Sequence, residues 1–80
     1  MPRRYSTDEV LAALRSIGIL PVRQRGSHIR LQGTFRGGTR LVTVPHVRGT
    51  IDAGTLSSIL RQAGITRDEL GRLVDGEAIS

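Results

Sequence analysis

Two short runs of alternating apolar and polar residues restrict the fold of this chain more than any other feature. They lie in the stretch ILPVRQRGSHIRLQG and are separated at Arg25 and Gly26, where a tight hairpin turn is predicted. With that turn, the facing pairs are Gln24 with Ser27, Arg23 with His28, Val22 with Ile29, and Leu20 with Leu31. Both apolar pairs then share one face of the sheet, as a hairpin over a core requires. This register predicts that Val22, Ile29 and Leu31 are buried and that Arg23, His28 and Arg30 face outward.

A helix is predicted before this hairpin, and a third strand after it. The segment STDEVLAALRSIG begins with a capping box formed by Ser6 and Glu9, and Gly18 suits the position after the last helical turn. The apolar residues of this segment recur at helical spacing and are expected in the core: Val10, Leu11, Leu14 and Ile17. After the glycine-rich loop GTFRGGT, the run RLVTVP predicts a strand that ends at Pro45.

Two further helices are predicted after the third strand. DAGTLSSILRQAG has Asp52 as its cap and Gly64 as its end, and TRDELGRLV begins with a second capping box, Thr66 and Glu69. The buried stripe of the longer helix is expected to consist of Leu56, Ile59, Leu60 and Ala63. The sequence therefore predicts an α+β two-layer sandwich: a helix, a three-stranded antiparallel sheet, a helix on the same face as the first, and a short C-terminal helix.

The length of the chain fits a single domain over residues 1–80, with a core at about 6–74. A domain of this size buries only roughly 60% of the surface that its unfolded chain exposes, so we expect a shallow site. The sequence has no cysteine, which removes disulfides and thiolate metal ligands. No apolar run reaches membrane-spanning length and the first residues lack the apolar core of a signal peptide, so we expect a cytoplasmic protein without membrane contact.

The positive charge of the chain indicates the class of its partner. The formal net charge is +5, and all 12 basic residues are arginines. Excess positive charge attracts a protein to polyanions, above all to nucleic acids, and a guanidinium group matches two phosphate oxygens at once. The charge therefore favours a nucleic-acid partner, although the use of arginine in place of lysine is also typical of a GC-rich genome.

His28 and the arginines around it are the candidate chemical group. Guanidinium groups can hold a phosphate and its developing charge, while an imidazole can move a proton near neutral pH. The predicted phosphate-binding residues are Arg23, Arg25, Gly26, Ser27 and Arg30. A single histidine on a protein surface is also common without any catalytic role, and the spacing alone leaves both interpretations open.

Two other places in the sequence are weaker candidates. His46, directly after Pro45, is either a second acid–base group or an ordinary loop residue. Gly54 and Thr55, at the start of the second long helix, offer backbone N–H groups and a hydroxyl to a phosphate, although the same residues suit ordinary capping. Two histidines without cysteine make a poor metal site, so we expect neither a metal nor a cofactor.

The segments GILPVRQRGSHIRL, VTVPH and GTLSSILRQAGITRDEL, in this order and separation, resemble the HicA family of mRNA interferase toxins. The resemblance extends from about Leu11 to Leu70. It implies a single HicA-like domain similar in fold to double-stranded-RNA-binding domains, cleavage of mRNA by the histidine of the Gly-Ser-His motif (His28 here), and inhibition by a HicB-type antitoxin. The family often has its second histidine two residues beyond the strand-ending proline, whereas His46 follows Pro45 directly, so the resemblance implies no role for His46.

The leading hypothesis from the sequence is therefore the toxin of a toxin–antitoxin pair, a metal-independent endoribonuclease that acts on mRNA. One alternative is a non-catalytic RNA-binding module of the same fold, in which His28 only contacts the RNA. Another is a protein-interaction domain whose charge attracts an acidic partner. Cleavage of RNA in the presence of EDTA separates the first hypothesis from the other two.

Overall fold

The computed structural model describes residues 3–80 and confirms the predicted α+β architecture. Residues 1 and 2, which the predicted domain includes, lie outside the described residues. The elements in chain order are α1 (Thr7–Ser16), β1 (Leu20–Arg25), β2 (His28–Phe35), β3 (Gly38–Pro45), α2 (Ala53–Ala63) and α3 (Arg67–Val74).

The helices begin where their caps were predicted. In both capping boxes the side-chain oxygen of the cap accepts a hydrogen bond from a backbone N–H three residues later, at 3.1 Å from Glu9 to Ser6 and 3.1 Å from Glu69 to Thr66. Asp52 caps α2, which ends at Gly64 in the left-handed conformation. Since each cap satisfies backbone groups that the helix leaves free, these local signals fix the helix boundaries.

The strands form one antiparallel sheet in the order β1–β2–β3, but the first hairpin turn lies one residue later than predicted. Gly26 and Ser27 form the turn, so Arg25 pairs with His28. Gly26 has a φ of 59°, and a type II′ turn requires glycine at the first of its two central positions. The four predicted pairs are therefore wrong. Gln24 pairs with Ile29 and Arg23 with Arg30, two residues beyond the predicted partners Ser27 and His28. Leu20 pairs with Gln32 instead of Leu31, and Val22 does not pair with Ile29.

A β-bulge in β1 follows from this register. The pairing shifts between Pro21 and Arg23, and Val22 is the extra residue. Val22 is 62% exposed, so the prediction that it is buried is wrong. The predictions for β2 are confirmed, because Ile29 and Leu31 are buried while His28 and Arg30 are exposed; Arg23 of β1 is exposed as well.

The second hairpin is tighter than the predicted glycine-rich loop. β2 continues through Gly33, and β3 begins after a two-residue turn at Arg36 and Gly37. Gly33 is required by a close approach of the chain, because a Cβ atom at this position would lie 2.1 Å from the carbonyl oxygen of Gly18. The glycines of this segment therefore belong to regular strands and a tight turn rather than to a long loop.

The hydrophobic core lies between the inner face of the sheet and the helices. Ile29 and Leu31 of β2 and Val42 and Val44 of β3 form the floor of the core, and α1, α2 and α3 contribute the rest. The largest fully buried helical side chains are Val10, Leu14, Leu56, Ile59 and Leu70. Leu11 and Ile17, predicted in the core, are half-buried against it. The opposite face of the sheet, called the outer face below, is not covered by any helix of the described residues.

Candidate functional site

The outer face gathers four of the predicted site residues, His28 and three arginines, into one depression. His28 is the first residue of β2 and lies opposite Arg25 of β1, and Arg30, two residues further along β2, lies opposite Arg23. Because residues two apart in a strand share a face, all four side chains belong to the outer face. With Thr43 of β3, they line a depression of about 430 Å³, called the histidine cleft below.

The turn before His28 is formed by Gly26 and Ser27, which were predicted to bind phosphate but do not line the histidine cleft. Gly26 and Ser27 are both exposed in this turn. The backbone carbonyl of Ser27 accepts a hydrogen bond from the backbone N–H of His46 at 2.6 Å. Since Pro45 is the register partner of His28, the structure brings His46 beside the turn that carries the Gly-Ser-His sequence. His46 itself is exposed and does not line the histidine cleft.

Thr7 holds the loop that carries His46, a role that no pattern in the sequence indicates. Within residues 3–80, Thr7 is the one buried polar side chain, with 3% of its surface exposed. Its hydroxyl donates a hydrogen bond to the carbonyl oxygen of Pro45 at 2.9 Å and accepts one from the N–H of Val47 at 3.1 Å. These two bonds fix the peptide groups on both sides of His46. The partners of Thr7 are 38 and 40 positions away in the sequence, so they become visible only in three dimensions.

The distribution of carboxylates makes the outer face strongly positive. Residues 10–51, which contain the whole sheet, include no aspartate or glutamate. The arginines in the same stretch are Arg15, Arg23, Arg25, Arg30, Arg36, Arg40 and Arg48. Arg23, Arg25 and Arg30 form no ion pair with any described residue. Three cationic groups without an internal counter-charge therefore surround His28, an arrangement that suits an anionic ligand.

Two arginines elsewhere on the protein, Arg3 and Arg36, have carboxylate partners within the fold. Arg3 forms an ion pair with Asp75 at 2.9 Å, and Arg36 forms one with Glu69. The hydrogen bonds from Arg36, followed by the backbone N–H of Thr66, lower the pKa of Glu69 to about 2. Arg36 also donates to the carbonyl oxygens of Gly64 and Ser80, at 3.2 and 2.6 Å. These arginines connect parts of the fold and are not available in the same way for a ligand.

The predicted phosphate site at the start of α2 lies apart from the histidine cleft. Gly54 is exposed and Thr55 is half-buried in the first turn of α2, and neither lines the cleft. The carboxylate of Asp52 accepts a hydrogen bond from the N–H of Thr55 at 3.2 Å. Hydrogen bonds from Thr55 lower the pKa of Asp52, which keeps its negative charge at this helix end. Phosphate binding by Gly54 and Thr55 stays a prediction. The carboxylate of Asp52 already accepts the hydrogen bond from the N–H of Thr55, and its negative charge repels a phosphate at this position.

The described chain offers neither a cluster of metal ligands nor a helix that could span a membrane. Within residues 3–80, no three side chains of histidine, cysteine, aspartate or glutamate lie close enough together to hold a metal ion. Over the same residues, none of the helices combines the length and the apolar character needed to cross a bilayer.

The comparison with protein families identifies the chain. A family model described as the HicA toxin of bacterial toxin–antitoxin matches residues 7–65. The chain belongs to the HicA toxin family. The matched region of this HicA toxin begins at Thr7, contains the sheet with the histidine cleft and extends past α2, whereas α3 lies outside the match. No curated protein sequence matches the chain. Membership in the family assigns the protein to the toxin side of a toxin–antitoxin pair.

Proposed function

We propose that this HicA toxin is an endoribonuclease that cleaves mRNA without a metal ion or other cofactor, with His28 as its catalytic residue. The observation that carries the proposal is the histidine cleft. It places one exposed imidazole among Arg23, Arg25 and Arg30, which have no internal counter-charge among the described residues. An imidazole and guanidinium groups are the side chains that cleavage of a phosphodiester needs.

The chemistry follows from RNA itself, since RNA carries its own nucleophile. The ribose 2′-oxygen attacks the adjacent phosphorus and loses its proton, while the bond from phosphorus to the 5′-oxygen of the next nucleotide breaks and that oxygen gains a proton. The products are a 2′,3′-cyclic phosphate and a 5′-hydroxyl end. His28 moves one of these two protons, as general base or as general acid.

The arginines of the histidine cleft stabilise the charge that develops during this reaction. Guanidinium groups bind phosphate oxygens with two parallel hydrogen bonds and keep their charge at every pH of interest. Arg23 and Arg30 face each other across β1 and β2, and Arg25 faces His28, so a phosphate in the cleft meets cations from two strands. Thr43 lines the same cleft from β3. Positioning and electrostatic stabilisation then supply most of the catalysis.

The test uses the purified protein with end-labelled mRNA in the presence of EDTA. We expect fragments with 5′-hydroxyl ends, and no cleavage at a position where a 2′-deoxynucleotide replaces the ribonucleotide. Binding that depends on salt but leaves the RNA intact would instead support the non-catalytic RNA-binding module. If the protein neither binds nor cleaves RNA, the result would support the protein-interaction domain, whose charge attracts an acidic partner.

We also propose that a HicB-type antitoxin inhibits the toxin by covering the outer face. The charge argues for this position, because Arg23, Arg25 and Arg30 attract a partner of opposite charge. The affinity of the complex is then expected to fall as salt rises, and RNA and antitoxin are expected to compete for the toxin. Titration calorimetry at low and high salt measures the first effect. An affinity that does not change with salt would contradict an electrostatic contact at this face.

A further inference from the structure

A second depression adjoins the histidine cleft on the outer face, and none of the assignments above uses it. It has a volume of about 210 Å³ and shares Arg23, Arg30 and Thr43 with the histidine cleft. Val22 and Leu41 line this depression but not the histidine cleft, and it is called the leucine cleft below. The two depressions form one continuous surface along the sheet.

The walls of the leucine cleft are unusual for the surface of so small a protein. Val22 and Leu41 are 62% and 63% exposed, and with Leu20 at 47% they are the large apolar side chains that the described surface exposes most. Val22 reaches this surface because the bulge in β1 turns it outward. Apolar side chains gathered at one place mark a binding surface more often than apolar side chains scattered singly.

One polar side chain gives the leucine cleft a means of recognition. Gln32 lies opposite both Leu20 and Leu41 in the sheet, at the end of the cleft farther from His28. Its amide offers both a donor and an acceptor. Gln32 is four residues from His28 along β2, a distance of about 13 Å for an extended strand, with Arg30 midway between them. A ligand that spans both depressions therefore meets an imidazole, then guanidinium groups, then an amide between apolar walls.

We infer that the leucine cleft binds the base of a nucleotide that flanks the scissile phosphate. A volume of about 210 Å³ is smaller than the roughly 300–1,000 Å³ of pockets that enclose a whole drug-sized ligand, and it suits a single planar ring. The base lies between Val22 and Leu41, its edge forms hydrogen bonds with the amide of Gln32, and its phosphate lies at Arg23 and Arg30. Gln32 thereby makes cleavage depend on the identity of one base. This inference rests on the proposed function, since it takes the histidine cleft as the phosphate site.

The first experiment maps cleavage positions in a pool of random-sequence RNA. The wild type is compared with Gln32→Ala and Leu41→Ala, and Thr39→Ala is the matched control because Thr39 is exposed on the outer face outside both clefts. We expect the wild type to prefer one base at a fixed position next to the cut. Gln32→Ala is expected to reduce this preference by about tenfold or more, the discrimination that one pair of hydrogen bonds to a base edge provides. Identical preferences in all four proteins would overturn the inference.

A second experiment separates failure of the base site from failure of the proposed function. Random oligonucleotides with 2′-deoxy sugars, which this chemistry cannot cleave, are selected for binding and sequenced. If the wild type does not cleave RNA, the endoribonuclease proposal fails, but a base preference in binding that Gln32→Ala removes would still support the base site. Unchanged binding preferences, combined with weaker antitoxin binding by Leu41→Ala, would overturn the base site and assign the leucine cleft to a protein interface.

Discussion

The arginines of the outer face and those at the opposite hairpin are the same residue type in different surroundings. Arg23 and Arg30 face each other without a carboxylate partner among the described residues, whereas Arg36 binds Glu69 and two backbone carbonyl oxygens. An arginine whose hydrogen bonds are used inside the protein stabilises the fold. An arginine whose hydrogen bonds are unused can bind a ligand. All three arginines lie in residues 10–51, which contain no carboxylate, so the difference comes from α3, whose Glu69 pairs with Arg36 and with neither arginine of the outer face.

The largest expected effect of a substitution on the outer face is that of His28→Ala on cleavage. We expect the rate to fall by at least about 10²–10⁴-fold, the contribution of a general acid or base. Stability is expected to change by less than about 1 kcal/mol, because the side chain is exposed. RNA binding is expected to persist, since contacts with phosphates supply most of it. Single-turnover cleavage, urea denaturation and RNA binding measure the three effects.

His46→Ala is the control for this prediction, because it removes the other histidine of the chain. It is expected to reduce cleavage less than His28→Ala, since His46 does not line the histidine cleft. If folded His28→Ala protein cleaves RNA at the wild-type rate, His28 is not the catalytic residue and the RNA-binding module becomes the better interpretation.

Thr7→Val tests how much the two hydrogen bonds of the buried Thr7 hydroxyl contribute to stability. The substitution keeps the shape of the side chain but leaves the carbonyl oxygen of Pro45 and the N–H of Val47 without their partner. A buried group without its hydrogen bond costs about 1–3 kcal/mol, so we expect a loss of this size in the free energy of unfolding, measured with urea. Thr7→Ser keeps the hydroxyl and is expected to retain most of the stability. A loss in Thr7→Ser that exceeds the loss in Thr7→Val would show that the methyl group, not the hydroxyl, matters.

Substitutions compare the unpaired arginines of the outer face directly with Arg36, which is paired with Glu69. Arg23→Gln combined with Arg30→Gln is expected to weaken RNA binding and to reduce the slope of log affinity against log salt by about 0.7 for each phosphate that the protein no longer neutralises. Arg36→Gln is expected to leave this slope unchanged and to lower the melting temperature instead. Binding titrations at several salt concentrations measure the slope. Equal slopes for the two proteins would remove the distinction between paired and unpaired arginines.

The smallest expected effect concerns the dependence of stability on pH. The pKa of Glu69 is lowered from 4.5 to about 2, so the charged carboxylate contributes stability at pH values above 4.5, and this contribution is lost as the pH falls toward 2. The wild type is therefore expected to be more stable than Glu69→Gln at pH 7, and the difference is expected to shrink between pH 4.5 and 2. Asp68→Asn, in the same helical turn, is the control. A difference that stays constant down to pH 2 would contradict the prediction.

Local signals in the sequence predicted most of the fold and part of the site. Capping residues such as Ser6 and Thr66 act within one helical turn, and the alternation of Ile29 and Leu31 depends only on the two-residue period of a strand, so both could be predicted correctly. The position of Val22 was predicted wrongly because a bulge adds one residue to β1 without changing the composition of the strand. The sequence contains the reason for the shifted turn, since Gly-Ser suits a type II′ turn better than Arg-Gly does.

Contacts between distant residues could not be predicted in the same way. Thr7 reads as an ordinary residue in the first turn of a helix, and the Arg36–Glu69 contact joins a strand turn to a helix cap. In both cases a polar group finds its partner only after the core has formed. The composition of the histidine cleft was largely predictable because four of its five residues lie within eight positions of one hairpin, on alternate positions of each strand: Arg23, Arg25, His28 and Arg30. The contribution of Thr43 depends on the pairing of β2 with β3.

The hydrogen bonds of the Thr7 hydroxyl bear on whether the Gly-Ser-His hairpin can be transplanted. They join residues 38 and 40 positions apart, and the N–H of His46 adds a bond to the hairpin turn itself. A peptide containing only QRGSHIRL, or the same hairpin grafted onto another protein, lacks the third strand, the loop after it and the helix start that support the turn. A truncated translation product that ends before Val47 lacks the same support. The motif is therefore not a portable unit, and a search for this site by motif alone would return proteins that carry the letters without the cleft.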